Sequence, residues 1–383
     1  MIRPSPWIID VGVAGTLGLS ILYVWGPTLE IRFYQDDYWI LFLTHNPYLG
    51  LVPGAIPWAH EWRPLGSFVP FYVIRRLFGL QPLIFHLANL SIHLLNGVLV
   101  YRLCLVMMKM RTFALVAAIF YSLHLAHTRA FQWTVGIDGL LSATWFLLAF
   151  WLYLHFRQEG HRWAYWASLT AFTAGALTKE WSVTLPLILL WYEVACDPAP
   201  PSTRQWAQWK SVGMRLAGYC VPLAAYLAIC MSFFSFSFEG QYKLTFSAKL
   251  ALGNLARYLR WAIFPAAASG FSLDSMVAGL LAVGVFSMLL LFWTLRWKLM
   301  TFGLGWFALA LGPVLFISRR ESYFLVIRLV GLAITVAAIC KKTIQVLSLG
   351  PKRQWAAILL AGVLFATMLL PAAKEVRIQQ EAS

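Results

Sequence analysis

Phe33-Tyr34-Gln35-Asp36-Asp37-Tyr38-Trp39 places two adjacent carboxylates among aromatic side chains, just past the first long apolar segment. Only 15 of the 383 residues are Asp or Glu, so a vicinal pair stands out. The rest of the chain decides what it means. A soluble domain carries roughly a quarter charged residues. This chain has 12% charged and 60% hydrophobic residues, too little charge to cover a water-facing surface. It reads as an all-α polytopic membrane protein that presents the pair at the water–lipid boundary.

A helix crosses the ~30 Å hydrocarbon core in about 20 residues. That ruler gives about eleven transmembrane helices, near 7–26, 82–106, 112–128, 134–156, 163–179, 181–196, 214–236, 276–295, 299–317, 323–340 and 354–373. The apolar stretch from Trp7 to Trp25 is too long for a signal-peptide core and lacks a small-residue cleavage site, so it reads as the first helix. Placing the N-terminus in the cytoplasm puts Lys109, Arg111, Arg157, Arg162, Arg204, Lys210, Arg215, Arg296, Lys298, Lys341, Lys342, Lys352 and Arg353 on the inner side. That is the pattern of charge bias in cytoplasmic loops. It puts Asp36 and Asp37 outside the cell (inner or plasma) membrane. It also accounts for the net charge of +15 without nucleic acid, since no long basic run interleaves with aromatics.

The long first and fourth outer loops contain amphipathic stretches, Leu65 to Leu80 and Ala248 to Phe264, which predict helices lying in the membrane interface. The organisation is a membrane module over 1–196 with its first outer loop at 27–81, a cytoplasmic linker at 197–213, and a C-terminal set of helices over 214–383. The five cysteines are odd in number and form no C-x-x-C pair, which predicts apolar packing and no disulfide framework.

Polar residues in apolar segments need partners or a purpose. His86, Asn89, His93 and Asn96 are spaced three, four and three apart, so they share one face of a helix. Interhelical hydrogen bonding is the ordinary use of such a stripe. His124, His127 and Asp138 gather near one outer face, as does the Lys179–Glu180 pair. Arg257, Arg260, Arg319 and Arg320 stand in outer loops, against the charge bias. An anionic partner such as a phosphate suits them.

The ordered motifs resemble membrane glycosyltransferases of the GT-C fold. These include protein O-mannosyltransferases, aminoarabinose transferases and the O-mannosyltransferases that bear tetratricopeptide repeats. The last group matches best, over roughly 33–195. Beyond Asp36-Asp37, Glu61-Trp62-Arg63-Pro64-Leu65 is similar to its aromatic-Arg-Pro-Leu segment. Phe85-His86-Leu87-Ala88-Asn89 and His93-Leu94-Leu95-Asn96 are similar to its Phe-His-x-x-Asn…His-x-x-Asn helix. Leu123-His124 with His127-Thr128 is similar to its His-Pro-x-His-Thr turn, with Leu125 at the proline position and Arg129 where Glu is frequent. Leu177-Thr178-Lys179-Glu180 is similar to its Ser/Thr-Lys-Glu segment, and Arg320 to Tyr323 weakly to its Arg-x-x-Tyr turn. The repeats themselves do not occur in this sequence.

The resemblance implies a polyprenyl-phosphate-linked sugar donor and inverting transfer to a protein, lipid or glycan acceptor at the outer face. It makes Asp36 the base. Asp37 would tune that base, hold a cation or bond the sugar. A carboxylate can take the acceptor proton, and basic side chains can stabilise a phosphate leaving group. The candidates for the donor phosphate are Arg257, Arg260, Arg319 and Arg320, with Arg63, His127, Lys179 and Glu180 around the substrate. Glu61, His86, Asn89, His93, His124 and Asp138 are supporting residues. Metal dependence stays open, a divalent ion near Asp36 and Asp37 being one option. A lipid-linked-sugar flippase is an alternative, as is a membrane O-acyltransferase relying on His93 or His127.

Overall fold

The computed structural model describes residues 6–56, 62–196, 206–233, 243–263 and 298–346. The regular elements among them are helices, joined by one isolated antiparallel bridge between Leu244 and Ile317. In chain order they are α1 (Pro6–Trp25), α2 (Asp36–Leu43), α3 (Pro47–Leu51), α4 (Val69–Phe78), α5 (Pro82–Met108), α6 (Arg111–Leu123) and α7 (Thr128–Gln132). Then come α8 (Ile137–Glu159), α9 (Arg162–Thr178), α10 (Leu185–Ala195), α11 (Trp206–Phe233), α12 (Ala248–Ile263), α13 (Lys298–Leu315) and α14 (Arg328–Val346).

Of the eleven expected spans, 276–295 and 354–373 lie outside the described residues, as does Glu61. The other nine coincide with helix over most of their described residues, the end of 214–236 also lying outside them. Among the described residues five helical stretches are long and apolar enough to cross a membrane: Asp10–Glu30, Pro82–Met108, Thr134–Glu159, Gln208–Phe233 and Lys298–Leu315. One boundary moves. α11 starts at Trp206, inside the segment expected as linker, so 206–213 is helix.

Local chemistry sets several ends. Pro82 occupies the first turn of α5, where its missing N–H costs nothing. Gly160 terminates α8 with φ 76°, a conformation glycine adopts without strain. α8 is central, packing on α5, α9 and α10, while α14 joins α13 to α6. The α13–α14 contact is backbone on backbone. A Cβ on Gly303 would strike the Gly331 carbonyl, and one on Gly331 the Gly303 carbonyl. Small residues of this kind let membrane helices approach closely.

The polar stripe of α5 finds its ordinary use. The Asn89 side chain donates to the Trp133 and Thr134 carbonyls, both at 3.2 Å, and Asn96 to the Leu140 carbonyl at 2.9 Å. Thr144 donates to Asn96 at 2.7 Å, and His93 Nε2 donates to the Ser122 carbonyl at 2.8 Å. His86 is buried on the same face. The stripe thus fastens α5 to α6, α8 and the turn that precedes α8, which in turn receives Asp37.

Candidate functional site

The two carboxylates of the opening stretch have opposite environments. Asp36 is exposed and makes no hydrogen bond or ion pair among the described residues. Asp37 is fully buried. Its Oδ1 accepts the Val135 amide at 2.8 Å, and its Oδ2 accepts the Tyr34 amide at 2.9 Å and the Thr134 amide at 3.4 Å. The Asp37 carboxylate therefore clips the start of α2 to the turn Thr134–Gly136 at the head of α8. Burial pushes its carboxyl above the ordinary range, against those backbone bonds, which pull it down. Gln35, immediately before the pair, has φ 42°. A non-glycine residue there is strained, and such strain persists where surrounding contacts impose it.

This geometry narrows the options for Asp37. Both oxygens accept backbone amides, and the side chain is buried. No group of three His, Cys, Asp or Glu side chains assembles among the described residues. Of the pair, Asp36 is the carboxylate that remains exposed.

A second set of charges holds the first outer loop in place. Arg63 donates to both Glu180 oxygens, at 3.0 and 2.8 Å, and to Asp138 Oδ2 at 3.1 Å. Lys179 Nζ donates to the same Asp138 oxygen at 2.7 Å. The Lys179 ammonium also lies 4.2 Å from the centre of the Trp181 ring and 5.2 Å from that of Tyr323. Gly66 makes this approach possible, because a Cβ there would strike the Thr178 carbonyl. Arg63 and Lys179, expected near the substrate, are committed to carboxylates. Only Glu180 of the four keeps substantial exposure, 45% of its side chain.

The outer histidines are interior. His127 donates to the Tyr121 carbonyl at 2.9 Å and packs edge-on to His93, ring centres 4.7 Å apart. His124 accepts the Ala126 amide and donates to the Ala262 carbonyl at 3.1 Å, tying α12 to the first half of the chain. Both rings are buried and bonded to backbone, so His127 is placed as packing and His124 as a cap.

The off-rule arginines converge. Arg257 and Arg320 are exposed, and partial burial with the charges of Arg320 and Arg260 pushes the Arg257 guanidinium below its ordinary value. Arg320 Nε donates to Asn254 Oδ1 at 2.6 Å. Asn254 is itself held by donating to the Leu315 and Ile317 carbonyls at 2.8 and 2.9 Å. Arg319 pairs with Glu321 at 3.4 Å. Three residues here escaped the sequence reading: Asn254, Trp181 and Arg328.

Arg328 is 1% exposed. Its Nε donates to the Ala310 carbonyl at 2.9 Å, and its guanidinium lies 5.2 Å from the centre of Trp181. No carboxylate pairs with it among the described residues, and Nη1 is buried without an acceptor. Burying an ion costs several kcal/mol, whereas a desolvated cation–π contact returns about 2 kcal/mol. Trp181 alone does not offset the burial.

No protein-family model matches the chain. Its fold is similar to that of ArnT from Cupriavidus metallidurans, solved bound to undecaprenyl phosphate, with a TM-score of 0.54 and 17% identity over 95% of this chain and 64% of that one. This is the GT-C fold. In sequence the chain is 29% identical over 177 residues to the protein O-mannosyl-transferase TMTC1 of Mus musculus, covering 41% of this chain and 18% of the relative. It is 28% identical over 237 residues to the protein O-mannosyl-transferase Tmtc2 of Drosophila melanogaster, covering 57% and 23%. It is 31% identical over 174 residues to TMTC3 of Mus musculus, covering 44% and 17%. The matches thus span less than a quarter of these relatives' length. The resemblance read from the motifs is borne out by both comparisons.

Proposed function

We propose that the chain is a membrane glycosyltransferase that moves a sugar from a polyprenyl-phosphate-linked donor to an acceptor hydroxyl, on a protein, a lipid or a glycan. Asp36 carries this reading: an exposed carboxylate without a partner, on a segment clamped from below by Asp37 and beside a loop clamped by Arg63. The relatives named as O-mannosyl-transferases and the ArnT structure with undecaprenyl phosphate support a lipid-phosphate donor.

In the proposed reaction Asp36 takes the acceptor proton as the acceptor oxygen attacks the anomeric carbon. The bond from that carbon to the phosphate oxygen breaks, its electron pair leaves with the lipid phosphate, and the anomeric centre inverts. Arg257, Arg260, Arg319 and Arg320 offset the charge that develops on the phosphate. Asp37 acts as a positioning residue for Asp36. The topology that goes with this has eleven spans, a cytoplasmic N-terminus, the site on the outer side, and α4 and α12 in the interface plane.

The test is sugar transfer from labelled polyprenyl-phosphate sugars in proteoliposomes. Asp36→Asn keeps expression and donor binding, and transfer falls by about 10²- to 10⁴-fold. Near-wild-type transfer by this variant removes Asp36 as the base. Translocation of label without transfer by the wild type points to a flippase.

A further inference from the structure

The exposed side of α2 carries a row of side chains at every third position: Asp36, Trp39, Phe42 and, just past the helix end, His45. Side chains three apart on a helix are neighbours. The Trp39 and Phe42 rings stack with centres 5.8 Å apart and planes at 21°, and the His45 ring follows 6.4 Å from that of Phe42. Trp39 is 43% and Phe42 57% exposed, so neither ring is spent on the core. Both ends of the row are held. The Arg75 guanidinium of α4 lies 3.0 and 2.7 Å from the two His45 nitrogens, and it donates to the Thr44 hydroxyl at 2.6 Å and the Leu41 carbonyl at 3.2 Å. At the other end Asp37 ties the start of α2 to Thr134 and Val135. The row is therefore a fixed strip, ~13 Å long at the helical rise. It has a carboxylate at one end, two aromatic rings in the middle and an imidazole at the other end.

An exposed aromatic patch rimmed by polar groups marks a binding surface. Acyl chains do not call for a carboxylate without a partner in the same row. An extended peptide draws its affinity from main-chain hydrogen bonds, and the middle of this row offers ring faces instead. A sugar chain suits both parts. The ring C–H bonds of a pyranose carry partial positive charge and complement the negative face of an aromatic ring. Its hydroxyls donate to a carboxylate and bond to an imidazole.

We propose that Asp36, Trp39, Phe42 and His45 form a carbohydrate-binding strip, and that the acceptor is a glycan. Pyranose rings lay their C–H faces on Trp39 and Phe42, and hydroxyls bond to the Asp36 carboxylate and the His45 ring. The strip thus brings an acceptor hydroxyl to Asp36. The proposal rests on the transferase reading only in taking the bound glycan to be the acceptor.

The experiment is saturation-transfer NMR of the full chain in nanodiscs. The probes are trisaccharides of mannose, glucose, galactose and N-acetylglucosamine, with Ser- and Thr-containing peptides as the competing class. Ring C–H protons of a trisaccharide are expected to receive saturation from the wild type. Trp39→Ala and Phe42→Ala should each weaken that affinity about threefold to tenfold, the scale of one aromatic contact. Trp39→Phe keeps most of it. Leu19→Ala, on the exposed side of α1, leaves it unchanged. Saturation of none of the trisaccharides overturns the proposal, as does equal affinity in the wild type, Trp39→Ala and Phe42→Ala. Should Trp39→Ala fail to fold, Phe42→Ala alone decides. Peptide binding that depends on Trp39, without glycan binding, assigns the strip to a peptide and also overturns it. Binding is read here without transfer. Glycan contact through Trp39 with no sugar transfer by the wild type sinks the transferase reading alone, whereas transfer without glycan contact sinks this proposal alone.

Discussion

The two ends of α8 carry two buried charge clusters that are built differently. At its start, Asp138 joins Arg63, Glu180 and Lys179 in an alternating chain of charges. Nineteen residues later, roughly 28 Å along the helix, Arg157 meets Glu193 of α10. The Glu193 carboxylate accepts from Arg157 at 2.5 and 3.1 Å, from Arg215 of α11 at 3.1 Å and from the Tyr153 hydroxyl at 2.5 Å. One acid, 1% exposed, gathers Arg157, Arg215 and Tyr153 around it. The first cluster does not close: Glu180 reaches the surface, and Lys179 rests on the aromatic rings of Trp181 and Tyr323. The closed cluster fastens three helices together. The open one fastens a loop, and that loop belongs to the segment that presents Asp36.

The largest expected effect is at the closed end. Glu193→Gln takes the shared carboxylate, 1% exposed, from Arg157 and Arg215, which are 29% and 18% exposed. Removing one partner of a fully buried pair costs about 3–5 kcal/mol, and the partial exposure of both arginines places the effect near the lower end of that range. Thermal unfolding in detergent is expected to show this, with transfer per folded molecule near wild type. A specific loss of transfer in the folded fraction would break the comparison.

Asp37→Asn comes next. An amide offers one acceptor where the carboxylate serves three N–H groups, and each orphaned buried donor costs about 1–3 kcal/mol. The pH dependence has a defined sign. Burial holds the Asp37 carboxyl above its ordinary value, so the folded state binds this proton more tightly than the unfolded chain. Its contribution to stability is complete below about pH 4, the ordinary aspartate value, and is lost as pH rises through the raised folded value. The stability advantage of the wild type over Asp37→Asn should therefore shrink with rising pH. An advantage that grows with pH contradicts the burial argument.

Glu180→Gln should do least to stability, about 1 kcal/mol or less, because the acid is nearly half exposed. Transfer should fall more than stability does, since Arg63 loses its two-pronged partner and the first outer loop loses its anchor. Equal effects of Glu180→Gln and Glu193→Gln on unfolding would erase the distinction between the two ends.

Much of the helical layout is legible in the sequence, because a helix in lipid must satisfy its own backbone and therefore needs a long apolar run. The expected span 82–106 is Pro82–Met108 in the structure, and 134–156 is Ile137–Glu159. The α5 stripe is readable for the same reason: a three-four-three spacing holds on any helix. The partners of these residues are not. Arg63 and Glu180 are 117 positions apart, and neither sequence context specifies a two-pronged pair. Arg328 falls inside the expected span 323–340, and nothing in that run marks it as buried. Its burial depends on α13, whose Ala310 carbonyl receives it, and on Trp181.

By itself the sequence determined that this is a helical membrane protein with a pair of acids just past its first apolar segment. Hydropathy and charge bias are properties of segments, and segments are written in order along the chain. Only the tertiary structure decided which of Asp36 and Asp37 is buried. The two are adjacent and chemically identical, but successive residues on a helix point about 100° apart. The phase of α2 against the head of α8 turns Asp37 into the amides of Thr134 and Val135 and leaves Asp36 exposed.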